Sequence, residues 1–254
     1  MKEQWRLLQT GFNTAYANMA VDRAVLVANS EGIVPPTVRF YGWVPPAISI
    51  GYFQSLTDEI DVDTCKKLGV NYVRRITGGG AVFHEKELTY SIVIPESHPE
   101  IPKNIMKSYG RICGAVMKGL QHLGIESEYV PINDIVTGGR KISGNAQTRK
   151  LETVLQHGTV LMDVDVDKMF SLLKVPNEKI KDKLIADVKQ RVTSIKHLLG
   201  NEVSFKEVAE AMKIGFEEEF HVELIEGTLT KEEKILAVKF EKEFFSTKDW
   251  NHRR

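Results

Sequence analysis

The stretch RRITGGGAVFHE, which begins at Arg74, combines two arginines with three consecutive glycines. Gly78–Gly80 carry no side chains, so the backbone there can approach a ligand closely and can adopt positive φ angles. Successive N–H groups in such a turn form a concave site for an anion. Because side chains alternate along a strand, we expect only one of Arg74 and Arg75 to face the same side as the glycines. A tight hairpin requires the same residues, so this stretch alone leaves both interpretations open.

A second loop, NDIVTGGRKISGNAQ, begins at Asn133. Asn133 and Asp134 supply oxygen ligands of the kind that Mg²⁺ prefers. Lys141 supplies a compact positive charge that can meet a phosphate or a carboxylate, and Gly144 again removes a side chain. Each feature by itself is typical of a solvated hairpin. Two glycine-rich basic loops in one chain favour a shared anion site, although neither loop has the pattern of a Walker loop or of a dinucleotide-binding turn.

A third stretch, LQHGTVLMD, places His157 and Gly158 inside a predicted strand. A histidine in a half-buried strand is either a hydrogen-bonded core residue or a ligand, and His84 has the same two interpretations. No cysteine or aspartate cluster lies near either histidine in the sequence. A zinc site is therefore poorly supported.

The composition limits the classes of partner. The 254 residues include 34 Lys and Arg against 34 Asp and Glu, so no overall field attracts nucleic acid or an anionic membrane. Any anion must be bound by a local cluster. No apolar run approaches the ~18–20 residues of a membrane span, and the N-terminus has no apolar signal core, so we expect a cytoplasmic location. Cys65 and Cys113 lie at helical spacing among apolar residues and are predicted to be buried structural thiols.

Strand and helix patterns intermix up to about residue 165, and charged helical patterns follow. An α+β or mixed α/β sheet domain with a helical tail fits this order better than a regular βαβ series. The sequence predicts one helix that begins at a possible Asn13 cap and ends before Gly32, and further helices at about 57–68, at about 104–123 and repeatedly over 167–245. It predicts strands in TVRFYGW, AISIGYF, LTYSIVIP, ESEYV, DIVTGGRKISG and TVLQHGTVLMDV.

In their order and spacing, RRITGGGAVFHE, NDI, GRKISGNAQ and QHGTVLMD resemble the lipoate–protein ligase A family and, more distantly, the octanoyltransferases and biotin ligases of the same superfamily. The likeness extends from VRFYGW and ISIGYFQ to STKDWN near the end. It implies an α+β fold, a mixed α/β sheet flanked by helices, of the biotin/lipoate ligase-like type. We expect one catalytic domain over residues 1–254, with its helical part at about 165–254.

The resemblance implies that lipoate is activated with ATP and Mg²⁺ to lipoyl-AMP, and that the lipoyl group then passes to a lysine of a carrier domain of the 2-oxoacid dehydrogenase E2 or glycine cleavage H protein type. Such chemistry depends on positioning two anions and stabilising developing charge. Lys141 is the expected catalytic contact, and Asp134 is the expected Mg²⁺ ligand. The other residues expected to bind the substrate or adenylate are Arg74, Arg75, Thr77, Gly78, Gly79, Gly80, Val82, His84, Asn133, Ser143, Gly144, Ala146, His157 and Gly158.

The choice between ligase and transferase depends on cysteine. Transferases of this superfamily form an acyl-enzyme on a cysteine thiolate, and in the form most similar to this chain that cysteine lies just before the glycine-lysine motif. The matching stretch here, SEYVPINDIVTGGRK, contains none. We therefore expect the ligase, with an ATP-independent octanoyl or lipoyl transferase that uses an acyl-carrier donor as the alternative. A non-catalytic acyl or nucleotide-binding module and a biotin ligase are further alternatives.

Two departures from the family pattern affect this expectation. Glu85 follows the loop histidine where many ligases have aspartate, and the chain ends at Arg254 where many single-chain ligases continue into a small accessory domain. We therefore expect that domain to be absent and a separate small accessory subunit to be a partner for adenylation. Neither nucleic acid nor a membrane is an expected partner.

Overall fold

The computed structural model describes residues 2–174 and 181–254, which hold two sheets and the helices that cover them. The strands are β1 Glu3–Asn13, β2 Thr37–Trp43, β3 Ala47–Ile50, β4 Asn71–Arg74, β5 Val82–His84, β6 Glu87–Pro95, β7 Glu128–Val130, β8 Asp134–Thr137, β9 Arg140–Lys150, β10 Thr153–Leu161 and β11 Val222–Gly227. The helices are α1 Ala15–Ser30, α2 Leu56–Glu59, α3 Val62–Lys67, α4 Ile105–His122, α5 Val166–Leu172, α6 Lys181–Arg191, α7 Ile195–Leu199, α8 Phe205–Phe220, α9 Lys231–Phe240 and α10 Lys248–Asn251, with a π-helical turn at Glu241–Phe245.

The large sheet has eight strands in the order β11-β1-β2-β6-β10-β9-β8-β7. Strand β1 is parallel to β11 and β2, and the other neighbours are antiparallel. The small sheet has the order β4-β3-β5, with β3 parallel to β4 and antiparallel to β5. The predicted α+β class, a mixed sheet flanked by helices, is confirmed.

Strand alternation gives the large sheet two different faces. On β6, Leu88, Tyr90 and Ile92 belong to the main core, which also contains buried side chains of α4 and α8. The intervening residues of β6 face the other way, where Val93 packs in a second core with α1. The polar side chains of that second face are buried under α1 and the small sheet, and this is where the predicted site residues meet.

Capping explains where several helices begin. Asn104 caps α4 by accepting a hydrogen bond from the N–H of Lys107, as the predicted start at this position requires. Thr14 rather than Asn13 caps α1. The helix predicted at about 57–68 is two short helices, because Asp61 caps α3 and interrupts the run.

Strand β11 was not predicted, because it lies in the region whose charged helical patterns dominate the sequence. Val222 and Leu224 are buried while Glu223 is exposed, so the strand follows the period of two that a half-buried edge requires. It extends the sheet beside β1. No helix in residues 2–174 and 181–254 is both long and apolar enough to cross a membrane.

Candidate active site

A cavity of about 150 Å³ lies where the glycine loop, the small sheet and β9–β10 converge. Of the predicted site residues, those that line it are Arg75, Gly79, Gly80, Val82, His84, Asn133, Lys141, Gly144, Ala146, His157 and Gly158. The sheet register explains part of this convergence, because His157 pairs with Ala146 across β10 and β9. Residues distant in the sequence therefore share one wall.

Arg75 braces the glycine loop from within the cavity wall. Its Nη2 donates to the carbonyl oxygens of Gly78 and Gly80 at 2.7 and 2.8 Å, and its Nη1 donates to the carbonyl oxygen of Ser49 at 3.0 Å. Burial lowers the pKa of Arg75 to about 10, so the guanidinium stays charged at neutral pH. Of the three glycines only Gly79 has a positive φ, +94°, and a Cβ there would lie 2.8 Å from Arg75 Nη2. The loop is shaped around this side chain.

The carbonyl groups of the glycine loop face Arg75, and its amide groups remain available. In the described part of the chain, no N–H of Gly78–Gly80 donates to a protein acceptor. A cluster of free amides beside a cavity can stabilise a negative oxygen. The amides of the glycine loop are thus available for an anion, and Arg75 supports the loop from the carbonyl side.

Arg74 does not line the cavity, contrary to its prediction as a pocket residue. It is fully buried and points away, where its Nε and Nη2 donate to the carbonyl oxygens of Trp250 and Asn251 at 3.1 and 2.9 Å. Its Nη1 donates to three carbonyl oxygens in the segment 51–54. Strand alternation makes Arg74 and Arg75 face opposite sides, and Arg74 therefore fastens the C-terminal segment to the loop after β3.

His157 belongs to a buried polar network that begins at Asp22 of α1. Asp22 Oδ2 lies 3.2 Å from His157 Nδ1, and His157 Nε2 lies 2.8 Å from Thr77 Oγ1. Burial lowers the pKa of His157 and outweighs the opposing effect of Asp22. Burial alone raises the pKa of Asp22, but Arg39 at 2.7 Å and the hydrogen bond of His157 together bring it below its usual value. The network therefore holds a carboxylate beside a neutral imidazole.

His84 belongs to a second network on the opposite wall. Its Nε2 lies 2.8 Å from Ser49 Oγ, and its Nδ1 lies 2.7 Å from Glu87 Oε1. The indole of Trp43 stacks on the imidazole, with ring centroids 4.0 Å apart. Ser49 and His84 line the cavity, whereas Glu87 is buried behind them.

Lys141 reaches the cavity over a glycine. Its Nζ lies 2.7 Å from Asp134 Oδ1, and a Cβ on Gly144 would lie 2.7 Å from Lys141 Cε. The side chains of Lys141 and Asp134 are 40% and 35% exposed, so this pair lies at the mouth of the cavity. Asp134, the expected Mg²⁺ ligand, is thus the counter-ion of the lysine, and residues 2–174 and 181–254 contain no group of three or more His, Cys, Asp or Glu that could hold a metal ion.

Three further predicted residues lie behind the cavity lining, where they make hydrogen bonds to residues that line it. Thr77 Oγ1 accepts a hydrogen bond from Arg75 Nε at 3.1 Å, Gly78 offers its carbonyl oxygen to Arg75, and Ser143 is buried with its hydroxyl 3.5 Å from Asn145 Oδ1. The prediction missed several lining residues, because each is a single polar or apolar residue in a strand or helix pattern. They are Met19, Tyr41, Trp43, Ser49, Ala81, Thr89, Asn145 and Thr159. Alternation in TVRFYGW, with Tyr41 and Trp43 two apart, is the one signal that points to this face.

Neither cysteine lies in the cavity lining. Cys65 and Cys113 are both buried, as predicted, and burial raises the pKa of their thiols to about 11 and about 12. A thiolate is the nucleophilic form, so both groups are poor nucleophiles at neutral pH.

Comparison with known proteins gives the family. The chain matches the family model described as lipoyl protein ligase A/B catalytic domain over residues 14–217. This protein belongs to that family. It is 40% identical to an octanoyltransferase LipM of Geobacillus kaustophilus, with 100% of this chain and 99% of the relative covered. It is 39% identical to an octanoyltransferase LipM of Brevibacillus brevis, with 99% and 100% covered.

A solved structure of the lipoyl protein ligase A/B type agrees in fold. The bipartite lipoate protein ligase of Thermoplasma acidophilum superposes with a TM-score of 0.89, at 31% identity over 98% of this chain and 96% of that one. The relatives are named octanoyltransferases, whereas the solved structure is named a lipoate protein ligase. The sequence identity is higher with the octanoyltransferases, at 40% and 39%, than with the ligase, at 31%.

The expected ATP-dependent lipoate–protein ligase is therefore wrong, and ATP and Mg²⁺ as its cofactors are wrong with it. The octanoyltransferases LipM of Geobacillus kaustophilus and Brevibacillus brevis match this chain from end to end, which favours the alternative, an ATP-independent octanoyl or lipoyl transferase. The error came from the weight given to the missing cysteine before the glycine-lysine motif.

Proposed function

We propose that this protein transfers an octanoyl or lipoyl group from the thioester of an acyl-carrier donor to a lysine of a lipoyl carrier domain, without ATP. The observation that carries the proposal is the end-to-end similarity to curated octanoyltransferases at 40% and 39% identity. The acceptor is a carrier domain of the E2 or H protein type, as the family resemblance implies. The single catalytic domain over residues 1–254 stays a prediction.

The cavity lining suits an acyl chain with a reactive carbonyl. Met19, Trp43, Val82 and Ala146 give it apolar surface, which an unbranched aliphatic chain fills favourably. Asn133, Lys141 and His84 add polar groups to the same lining. A few convergent polar groups in an apolar pocket are what a site needs to hold a chain and orient its carbonyl.

A thioester is already activated, so transfer to an amine needs no adenylate. The protein must align the acyl donor and the lysine and must stabilise the oxyanion that forms on the carbonyl. Lys141 and the free amides of Gly79 and Gly80, which all line the cavity, are donors available for this oxyanion. The accessory subunit was expected for adenylation, and that reason is lost with the ligase.

The test supplies octanoyl-loaded acyl carrier protein and a lipoyl carrier domain, with EDTA and without ATP, and follows the mass of the acceptor domain. We expect octanoylation of the acceptor, and none of an acceptor whose target lysine is replaced by arginine. Absence of transfer from the thioester, under conditions where the protein is folded, would overturn the proposal.

A further inference from the structure

Ser49, His84 and Glu87 form a continuous hydrogen-bonded chain at the cavity. Ser49 Oγ lies 2.8 Å from His84 Nε2, and His84 Nδ1 lies 2.7 Å from Glu87 Oε1. Each of the three residues is at least 95% buried, and the first two line the cavity. A hydroxyl, an imidazole and a carboxylate in this order are the parts of an activated serine nucleophile.

When His84 is neutral, the donors around Ser49 determine which group donates and which accepts in each hydrogen bond of this chain. The guanidinium of Arg75 can only donate, and its Nη1 donates to Ser49 Oγ at 3.1 Å, so the serine proton is available for His84 Nε2. His84 Nδ1–H then donates to Glu87. This is the tautomer in which the imidazole can accept the serine proton.

The surroundings hold Glu87 as an acceptor. Trp43 Nε1 donates to Thr89 Oγ1 at 2.7 Å, and the Thr89 hydroxyl in turn donates to Glu87 Oε1 at 2.6 Å. Glu87 Oε2 is buried with no hydrogen-bond partner in the described part of the chain. Burying an unpaired carboxylate oxygen is costly for the free energy of folding, so stability alone does not account for Glu87. A carboxylate whose task is to stabilise an imidazolium does account for it.

A second hydrogen-bonded chain of the same kind, Thr77–His157–Asp22, does not place its hydroxyl residue at the cavity. Thr77 is fully buried and does not line the cavity, and its hydroxyl accepts from Arg75 Nε at 3.1 Å. Asp22 is already paired with a buried arginine. Of these two hydrogen-bonded chains, only the one that ends at Ser49 has its hydroxyl residue in the cavity lining.

We propose that Ser49 is the nucleophile of the acyl transfer, with His84 as its general base and Glu87 as the positioning residue of His84. The inference rests on the proposed octanoyl transfer and supplies the nucleophile that the missing cysteine leaves open. Ser49 Oγ attacks the thioester carbon while its proton moves to His84 Nε2. The C–S bond breaks, the thiolate of the donor takes that proton, and an octanoyl ester remains on Ser49.

The second half transfers the acyl group to the acceptor. The neutral amine of the carrier lysine attacks the ester carbonyl, and His84 takes a proton from it. The C–O bond breaks, the Ser49 oxygen receives the proton from His84, and an octanoyl amide leaves with the carrier. No oxidant, reductant or cofactor enters this balance.

The test begins by incubating the whole chain with octanoyl-loaded acyl carrier protein and no acceptor. We expect a protein adduct of one octanoyl group that peptide mapping places on Ser49, and that neutral hydroxylamine does not remove because it is an oxygen ester. Addition of the acceptor domain should discharge the adduct. An adduct on Thr77, Cys65 or Cys113 would overturn the inference.

Variants separate the roles. Ser49→Ala should lose the adduct and transfer, whereas Ser49→Cys should regain an adduct that neutral hydroxylamine removes. His84→Ala should slow acylation by about 10²–10⁴-fold, the range of general acid–base catalysis. Glu87→Gln should slow acylation while leaving KM for the octanoyl donor unchanged. Ser108→Ala, a buried serine outside the cavity lining, is the matched control and should behave as wild type.

The outcomes distinguish the inference from the function on which it rests. Acceptor octanoylation that persists in a folded Ser49→Ala protein would refute Ser49 as nucleophile and leave the acyl transfer standing. Absence of octanoylation by the wild-type chain would refute the transfer itself. Transfer with an ester on Ser49 would support both.

Discussion

Replacing Lys141 with methionine should damage catalysis and leave the fold intact. Methionine keeps the unbranched apolar stem and removes the charge that we propose stabilises the developing oxyanion. Loss of one such donor costs about 10²–10³ in kcat. Because the Lys141 side chain is 40% exposed, water screens part of its charge, and we expect the lower value of about 10². The corresponding loss of transition-state stabilisation is about 2.7 kcal/mol.

The stability of the same variant should hardly change. The Lys141–Asp134 pair is 2.7 Å long, but both side chains are more than a third exposed, and such pairs contribute about 0–1 kcal/mol to the free energy of unfolding. Lys189 forms a comparable pair with Asp167, 2.6 Å long and outside the cavity lining, so Lys189→Met is the matched control. We expect it to lower neither activity nor stability measurably.

The assay measures kcat and KM for octanoyl transfer to the acceptor domain, and urea unfolding followed by circular dichroism measures stability. A Lys141→Met protein that transfers within threefold of wild type would refute the electrostatic role. A loss of activity accompanied by more than about 2 kcal/mol of destabilisation, well above what an exposed pair contributes, would point to a structural role instead.

Three further predictions concern the fold around the cavity. Burial lowers the pKa of His157, so as the pH falls the imidazole takes up a proton in the unfolded chain before it does so in the folded one. The free energy of unfolding should therefore decrease below about pH 6.5, by at most about 1.4 kcal/mol per pH unit. His157→Gln should flatten this pH dependence in urea melts. Gly51→Ala places a Cβ 1.9 Å from the carbonyl oxygen of Gly79 and should cost about 1–3 kcal/mol by chemical denaturation, whereas Gly78→Ala, with nothing within 4 Å, should be tolerated. Arg74→Lys keeps the charge but loses the planar set of donors, so it should lower the thermal midpoint by leaving buried carbonyl oxygens unpaired, each worth about 1–3 kcal/mol; an unchanged midpoint would contradict the fastening role.

The parts of the site that could be predicted are those whose residue types carry a conformational or electrostatic requirement. The glycine loop, Lys141 and His157 stand out because glycine runs, a basic turn and a histidine in a strand are uncommon, and the structure brings all three to one cavity. Alternation predicted that only one of the two arginines faces the loop. It could not say which one, because that depends on where β4 ends and the chain turns.

The residues that sequence reasoning missed depend on contacts between distant strands. Ser49 is one hydroxyl in the apolar run AISIGYF, and Glu87 is one carboxylate before another apolar run. Ser49 has no local signal, because the antiparallel pairing of β3 and β5 brings its partner His84 to it. Glu87 lies only three residues from His84, but a carboxylate at that spacing is common and does not by itself indicate a site. Strand β11 was missed for a similar reason, because its partner β1 lies about two hundred residues away along the chain.

The wrong expectation of a ligase shows where motif reasoning fails in this family. The role proposed for the glycine loop and Lys141 is to stabilise negative charge on an acyl carbonyl, and that requirement is the same whether the leaving group is AMP or a thiol. These motifs therefore cannot separate the two activities. A nucleophile on the enzyme distinguishes the transferase from the ligase. However, the lack of a cysteine in one loop excludes the transferase only if no other residue at the cavity can act as the nucleophile.

A serine at a different position imposes its own physical requirement. An exposed thiol is partly ionised to the reactive thiolate near neutral pH. A serine hydroxyl is not, so it needs a base within hydrogen-bonding distance that removes its proton as it attacks. Ser49 has such a base at 2.8 Å, and that base has a buried carboxylate at 2.7 Å. The two buried cysteines have raised pKa values and no place in the cavity lining. Among the cysteines of the chain and the serine that faces the cavity, the hydroxyl is the group whose surroundings can activate it.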